Sequence, residues 1–241
     1  MKILAIESSN QTMSVATLDE GLLVAEYTTN GNLQHSTQLM PAIEHILNGS
    51  NWQPSNLDRI VVTKGPGSYT GIRIGVTIAK TMAWSLNKPL IAVSSLKLIA
   101  SNASYFQGLI VPLIDARRKN VYAGVYRVED TVLTEVMPDQ HLPSERLFQL
   151  LKEEKQPLLF IGQDVLTFKE DITNALGEQA IIANQKDWLP RASNLVTLAL
   201  TEEVVDAHLF TPEYLKKPEA EENWQKANAS KQKGEYVERI D

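Results

Sequence analysis

The sequence predicts an α/β protein of two related subdomains, each opening on an aliphatic hairpin. Three observations carry this reading. Short β-branched and aliphatic runs fill the N-terminus, helix-period segments alternate with further runs, and the same plan restarts near Gly108.

In chain order, residues 2–7 (KILAIE), 12–19 (TMSVATLD) and 21–29 (GLLVAEYTT) are separated by turn-forming Ser, Asn, Asp and Gly and read as a three-strand meander. His35–Leu47 then carries apolar residues at 39, 40, 43, 46 and 47, a helical spacing that Asn48-Gly49 should stop. Pro41 is expected either in the first turn of this helix or at a bend. Residues 58–64 (DRIVVTK) read as a buried strand, followed by a glycine loop and a helix to about Leu86. Leu90–Val93 is another strand, and a helix starts near Ser95.

Laying residues 3–19 over 111–127 without a gap puts apolar on apolar and Glu7 on Asp115, an offset of 108 residues. Each copy is a strand, an acid at its end, a polar turn and a second strand. Two such halves are the plan of the actin, Hsp70 and sugar-kinase (ASKHA) superfamily, in which nucleotide lies between the halves. The expected subdomains are 1–104 and 105–217. In the second, strands are expected near 131–136 and 157–161, with helices near 143–153, 165–175 and 191–205. Residues 218–241 form a polar tail, mobile or docked as a helix, with Trp224 as its anchor.

The bulk numbers exclude several function classes. The chain has 241 residues, 43% of them hydrophobic, and no run near the roughly 18 apolar residues of a membrane span, so a cytoplasmic protein is expected. It has no cysteine, which removes disulfides and thiolate chemistry. A net charge of −6 is not the footprint of a polyanion binder. Arg117-Arg118-Lys119 is the only cationic run of note, and it reads as a solvated hairpin turn.

Thr63–Lys80 (TKGPGSYTGIRIGVTIAK) raises the functional question. A phosphate-cradling loop needs G-x-x-x-x-G-K-[ST], but Ile72-Arg73 follow Gly71, and Gly65, Gly67 and Gly71 miss the dinucleotide spacing by one position. An amide nest that binds an anion ranks second. The helix favours packing. Projected at about 100° per residue, its apolar and glycine positions fill an arc of about 200°, against the about 100° that one sheet requires. Gly71, Gly75 and Ala79 stand at its centre, where another backbone can approach closely. This predicts an apolar platform for a second chain, with Leu39, Ile43, Ile46, Leu47, Gly71, Ile72, Gly75, Val76, Ala79 and Met82 as contacts. Gly65, Pro66, Gly67, Ser68, Tyr69 and Thr70 would set the helix's entry angle.

GPGSYTGIRIG, with IESS at the first strand, HSTQLMPAI in the first helix, AVSSL and IDARRKNVYAGVY, resembles the bacterial TsaB (YeaZ) family. PEYLKK at 212–217 is a weaker echo. The resemblance implies an actin/Hsp70-like fold and a non-catalytic subunit without a cofactor of its own. Such a subunit homodimerises alone and pairs with the catalytic paralogue TsaD and the ATPase TsaE. Together they make N6-threonylcarbamoyladenosine at position 37 of tRNAs reading ANN codons, so that tRNA is met through the complex. The paralogue holds a metal with V-N-H-x-x-x-H, and the matching Val93–Ile99 stretch offers Ser95 and Ile99 instead. A metal site is therefore not expected. His35 and His45, roughly 15 Å apart along a helix, do not replace it.

Two other readings stay open. An actin-like ATPase or phosphotransferase would use Glu7 and Asp115 to organise metal, although the turns Ser8–Gln11 and Arg117–Asn120 lack glycine. The blander reading makes both acids strand-end carboxylates bonded to turn amides. A metallopeptidase has no H-E-x-x-H or other zinc-ligand pair to rest on.

Overall fold

The computed structural model describes residues 1–31 and 34–216. The tail read at 218–241 lies outside them. The first half comprises β1 (Lys2–Glu7), β2 (Met13–Asp19), β3 (Leu22–Thr29), α1 (His35–Gly49), β4 (Arg59–Gly65), α2 (Tyr69–Leu86), β5 (Leu90–Ser94) and α3 (Ser95–Ser101). The second comprises β6 (Leu109–Asp115), β7 (Asn120–Glu129), β8 (Val132–Pro143), α4 (Ser144–Leu151), β9 (Leu158–Ile161), α5 (Lys169–Leu176), β10 (Ala180–Ile182), α6 (Ala192–Leu198) and β11 (Val204–Val205).

The repeat read from the sequence is a repeat of topology. One sheet runs β11-β5-β4-β1-β2-β3 and the other β10-β9-β6-β7-β8. In each, the first strand of the half pairs antiparallel with the next and parallel with the strand after the first helix. This is the two-lobed ASKHA plan. Side chains alternate along the buried strands. Ile3, Ala5 and Val61 join Ile110, Ile114 and Tyr126 around α3 and α6 between the sheets, while Leu4, Ile6, Ile60 and Val62 face α1 and α2 on the outside. Helices α4 and α5 cover the outer face of the second sheet.

Several boundaries differ from expectation for identifiable reasons. Helix α1 continues through Asn48-Gly49 to a Ser50 cap, and Pro41 sits inside it. Strand β8 extends far past the expected 131–136, because Pro138 and Asp139, which resemble a turn, lie in an edge strand that tolerates a missing donor. The helix expected at 165–175 begins as a 3₁₀ turn, Gln163–Phe168. The one expected at 191–205 ends early, and Val204-Val205 turn back to pair with β5. Residues 204–216 thus pack on the first lobe, through β5 and α2.

Candidate functional site

The glycine loop joins β4 to α2 through a cis Gly65-Pro66 bond. Ser68 caps α2, its Oγ accepting from Gly71 N at 3.2 Å. The loop rests on the turn after β1, where Ser68 N donates to Ser9 O at 2.7 Å and Ser8 Oγ donates to Gly71 O at 2.9 Å. Each glycine marks a close approach within the chain. A Cβ on Gly67 would lie 2.1 Å from Ser9 O, one on Gly71 2.2 Å from Ser8 O, and one on Gly75 2.2 Å from Ser8 Oγ. Gly65 makes room for a different segment, since a Cβ there would lie 2.6 Å from Glu213 O. The close approaches therefore belong to the chain's own turn and C-terminal segment.

Of the expected contacts, Leu39, Ile43, Ile46 and Leu47 of α1, and Gly71, Ile72, Gly75, Val76 and Ala79 of α2, are all buried in the chain's own core. The two helices close on each other as well as on the sheet, which uses up more of the arc than the sheet alone would. Of the expected contacts, Met82 alone keeps partial exposure. What remains open is a narrower flank of α2, Ile74, Ile78 and Met82 at four-residue spacing, each part-exposed. Beside it a groove of about 440 Å³ runs between the starts of α1 and α2, lined by His35, Ser36, Thr70 and Ile74 among others. Met40, one turn beyond Ser36, is 47% exposed.

The opposite flank of α2 is occupied by residues 206–216, which sequence reasoning missed. Lys80 Nζ donates to the carbonyls of His208 and Phe210, and Arg73 Nε donates to the Tyr214 hydroxyl at 2.7 Å. Tyr69 and Tyr214 rings sit 5.0 Å apart, and Lys64 pairs with Glu213 at 2.9 Å. Residues 212–216 of the PEYLKK echo belong to this strap. Phe210, part-buried against the α1–α2 core, fastens it.

Glu7 and Asp115 take equivalent places but face different surroundings. Ser9 N donates to Glu7 Oε1 and Arg117 N to Asp115 Oδ1, each at 2.8 Å and each from two residues on, as the strand-end reading has it. Glu7 is fully buried, and burial pushes its carboxyl above the usual range despite the bonds from Ser9. Thr63 is close enough to favour the Glu7 anion, yet neither Thr63 Oγ1 nor Glu7 Oε2 reaches hydrogen-bond geometry. Asp115 instead lines a cleft of about 390 Å³ between the lobes, with Asn10, Arg117, Asp164, Trp188 and Lys216. Glu7 is not in its wall. Ser95 and Ile99, the positions set against the V-N-H-x-x-x-H pattern in the sequence, are buried in α3. Among the described residues no group of three His, Asp or Glu side chains is arranged to hold a metal ion. No helix among them is long and apolar enough to cross a membrane.

A polar cluster that the sequence did not reveal ties the lobes together. Asp139 on β8 accepts hydrogen bonds from Ser94, at the β5–α3 junction, and from the Tyr126 hydroxyl on β7. Burial holds the Asp139 carboxyl above its usual range. Gly124 leaves it space, as a Cβ there would lie 2.6 Å from Asp139 Oδ1.

Known proteins share this architecture. A family model described as tRNA N6-adenosine threonylcarbamoyltransferase matches residues 23–224. The tRNA threonylcarbamoyladenosine biosynthesis protein TsaB of Bacillus subtilis is 45% identical over 224 residues, covering 93% of this chain and 98% of that protein. Its Escherichia coli namesake is 31% identical over 160 residues, or 64% of this chain and 69% of that one. The structure of YeaZ from Pseudomonas aeruginosa superposes with a TM-score of 0.77 at 26% identity, spanning 89% of this chain and 99% of the other. On the likeness to the Bacillus protein across nearly the whole length of both, the chain belongs to the TsaB (YeaZ) family of tRNA threonylcarbamoyladenosine biosynthesis proteins.

Proposed function

We propose that the chain is a non-catalytic scaffold subunit. It pairs through the α1–α2 layer with a TsaD-like catalytic subunit, and with a TsaE-like ATPase, for threonylcarbamoylation of adenosine 37 in tRNAs reading ANN codons. The observation that carries this reading is the apolar flank Ile74, Ile78 and Met82, part-exposed on a helix whose inner face is full and whose other flank is strapped. A regular stripe of this kind with Met40 beside it is the surface on which a second helix pair buries apolar area. The same flank serves a homodimer when the partner is absent, so self-association and pairing compete.

Among the described residues, no group of side chains assembles a reaction centre. The buried acid is sealed, the paralogue's ligand positions hold Ser95 and Ile99, and the cleft acids Asp115 and Asp164 are engaged by Arg117 and by the Asp115 amide. Chemistry belongs to the partner. Mixing the chain with its catalytic and ATPase partners, and omitting each in turn, tests the assignment. Transfer of the threonylcarbamoyl group should need the chain, and should persist when Asp115 is replaced by Asn. Undiminished transfer without the chain overturns the reading. Calorimetric titration with ATP and magnesium tests the ATPase alternative on the isolated chain.

A further inference from the structure

We infer that the interlobe cleft is the docking site of the chain's own residues 217–224, with the Trp224 indole as the group it holds. The segment lies beyond the described residues, and its destination follows from where the strap delivers it and from what cleft and segment each carry.

The strap runs along α2 toward the start of that helix. His208 and Phe210 meet Lys80, Tyr214 meets Arg73 and Tyr69, and Lys216 stands with Gly67 and Ser68 in the cleft wall. The path is fastened just before this point, where Glu213 N donates to Lys64 O at 2.8 Å and the two side chains pair. Lys217 therefore starts at the cleft, and Trp224 follows Lys216 by eight residues. Such a stretch spans roughly 26 Å when extended and about 12 Å as a helix, so the cleft is within range in either form. Tethering also makes docking intramolecular, at an effective concentration that a free ligand of the same chemistry does not reach in dilute solution.

Cleft and segment are complementary. Ile99, Leu113 and Ile114 give the cleft apolar wall, and Trp188 is fixed there, part-exposed, by its indole N–H donating to Ala183 O at 2.9 Å. At about 390 Å³ the cleft has room for a large aromatic ring. Trp224 is the only aromatic or large aliphatic residue from 217 to 235, so it is the one group there whose burial can hold the segment down. Its indole N–H needs an acceptor once buried, and Asp115 and Asp164 both line the cleft. Charge agrees in sign. Arg117 stands in the wall, while Glu219, Glu221 and Glu222 come just before Trp224. Exposed pairs of this kind add little affinity, so they orient the segment and the indole anchors it. Docked in this way, residues 217–224 join the strap on the first lobe to a wall of the second and fill the space between the lobes with the chain's own atoms.

Fluorine NMR of the full chain carrying fluorotryptophan tests the site, since residues 52, 84, 188 and 224 give four lines that single Trp→Phe variants assign. Trp84, 63% exposed, and Trp52, 7% exposed, calibrate the broadening caused by a soluble gadolinium chelate. The Trp224 line should broaden several-fold less than that of Trp84. Trp224→Ala should shift the Trp188 line and make it more sensitive to the chelate, while the Trp52 line stays in place. A second measurement keeps the anchor. The chain has no cysteine, so nitroxides attached through Gln11→Cys, in the cleft wall, and Gln225→Cys report one distance, which should be short and narrowly distributed. Co-elution with the protein partners should be unchanged in Trp224→Ala, whereas Ile78→Glu on the docking flank should abolish it, so the two readings fail separately. Chelate access at Trp224 equal to that at Trp84 overturns the docking, as does a broad spin distance. A Trp188 line indifferent to Trp224→Ala places the indole outside the cleft and overturns the site. So does a Trp188 line that ATP and magnesium shift in the wild-type chain, because the cleft then takes a small ligand.

Discussion

At the residue scale, the glycines and the buried acid make separable predictions. The atom that a Cβ on Gly75 would strike is Ser8 Oγ at 2.2 Å, and the next is Ser8 Cβ at an ordinary 3.5 Å. Gly75→Ala should therefore destabilise by about 1–3 kcal/mol, despite alanine's better helix propensity, and Ser8→Ala in the same chain should recover much of that loss. Gly71→Ala meets the Ser8 carbonyl instead, and no side-chain deletion should rescue it. Urea unfolding of the three single variants and two doubles reads this directly. Without rescue, the Oγ contact is not the obstacle. Glu7 supplies a pH dependence whose sign follows from burial. Its folded pKa is raised, so its contribution is fully present below the unfolded value of about 4.3 and is lost as pH rises through the folded value. Glu7→Gln keeps the acceptor for Ser9 without a charge to bury. It should match wild type near pH 4 and exceed it at pH 7 and above, in Tm measured across that range. Equal pH profiles would show that burial does not raise the Glu7 carboxyl.

At the scale of elements, α2 is divided into three strips with different owners. Its inner strip packs on the sheet and α1, the strip through Arg73 and Lys80 carries residues 206–216, and the strip through Ile74, Ile78 and Met82 is left. The width of the apolar arc was legible in the sequence, because periodicity reports how much surface is greasy. Which part stays open was not, because that depends on α1 and on a strap about 130 residues away in the chain. The Gly71, Gly75 and Ala79 row was legible as a close-packing signal, but glycine spacing does not say whose backbone approaches. On this division, Ile78→Glu and Met82→Glu should leave unfolding free energy within about 1 kcal/mol of wild type, as part-exposed sites do, while a co-elution assay with the catalytic subunit loses the complex. Ile72→Glu should unfold the chain, since Ile72 is buried on the same helix. Intact co-elution of the folded Ile78→Glu variant would place docking elsewhere.

At the scale of the whole molecule, the duplicated hairpins were legible from one ungapped overlay, because strand alternation and the turn acids survive in both copies. The joint between the lobes was not. Its polar members, Ser94, Tyr126 and Asp139, come from three separate strands, and Asp139 lies within a Met-Pro-Asp-Gln stretch that resembles a turn. Yet this cluster bears on the proposed scaffold role. An enzyme of two lobes closes on its substrate, whereas a scaffold must hold one shape for its partner, and a part-buried carboxyl bonded from both sides resists hinge opening. Removing it strands the Tyr126 hydroxyl, on a residue 1% exposed, and frees Ser94 from its cross-lobe bond. Asp139→Ala should therefore cost about 2–4 kcal/mol, while Asp139→Asn, which keeps an acceptor and removes a carboxyl that burial already disfavours ionising, should cost less. Hydrogen exchange tells this clamp from a merely local packing loss. In the alanine variant, amides of α3, β7 and β8 should exchange faster while those of α1 and of α2's inner face keep their protection, because the outer layer does not depend on the joint. Uniform acceleration across both lobes would mean that Asp139 supports global stability alone, and unchanged exchange at α3 would mean that the lobes are held together without it.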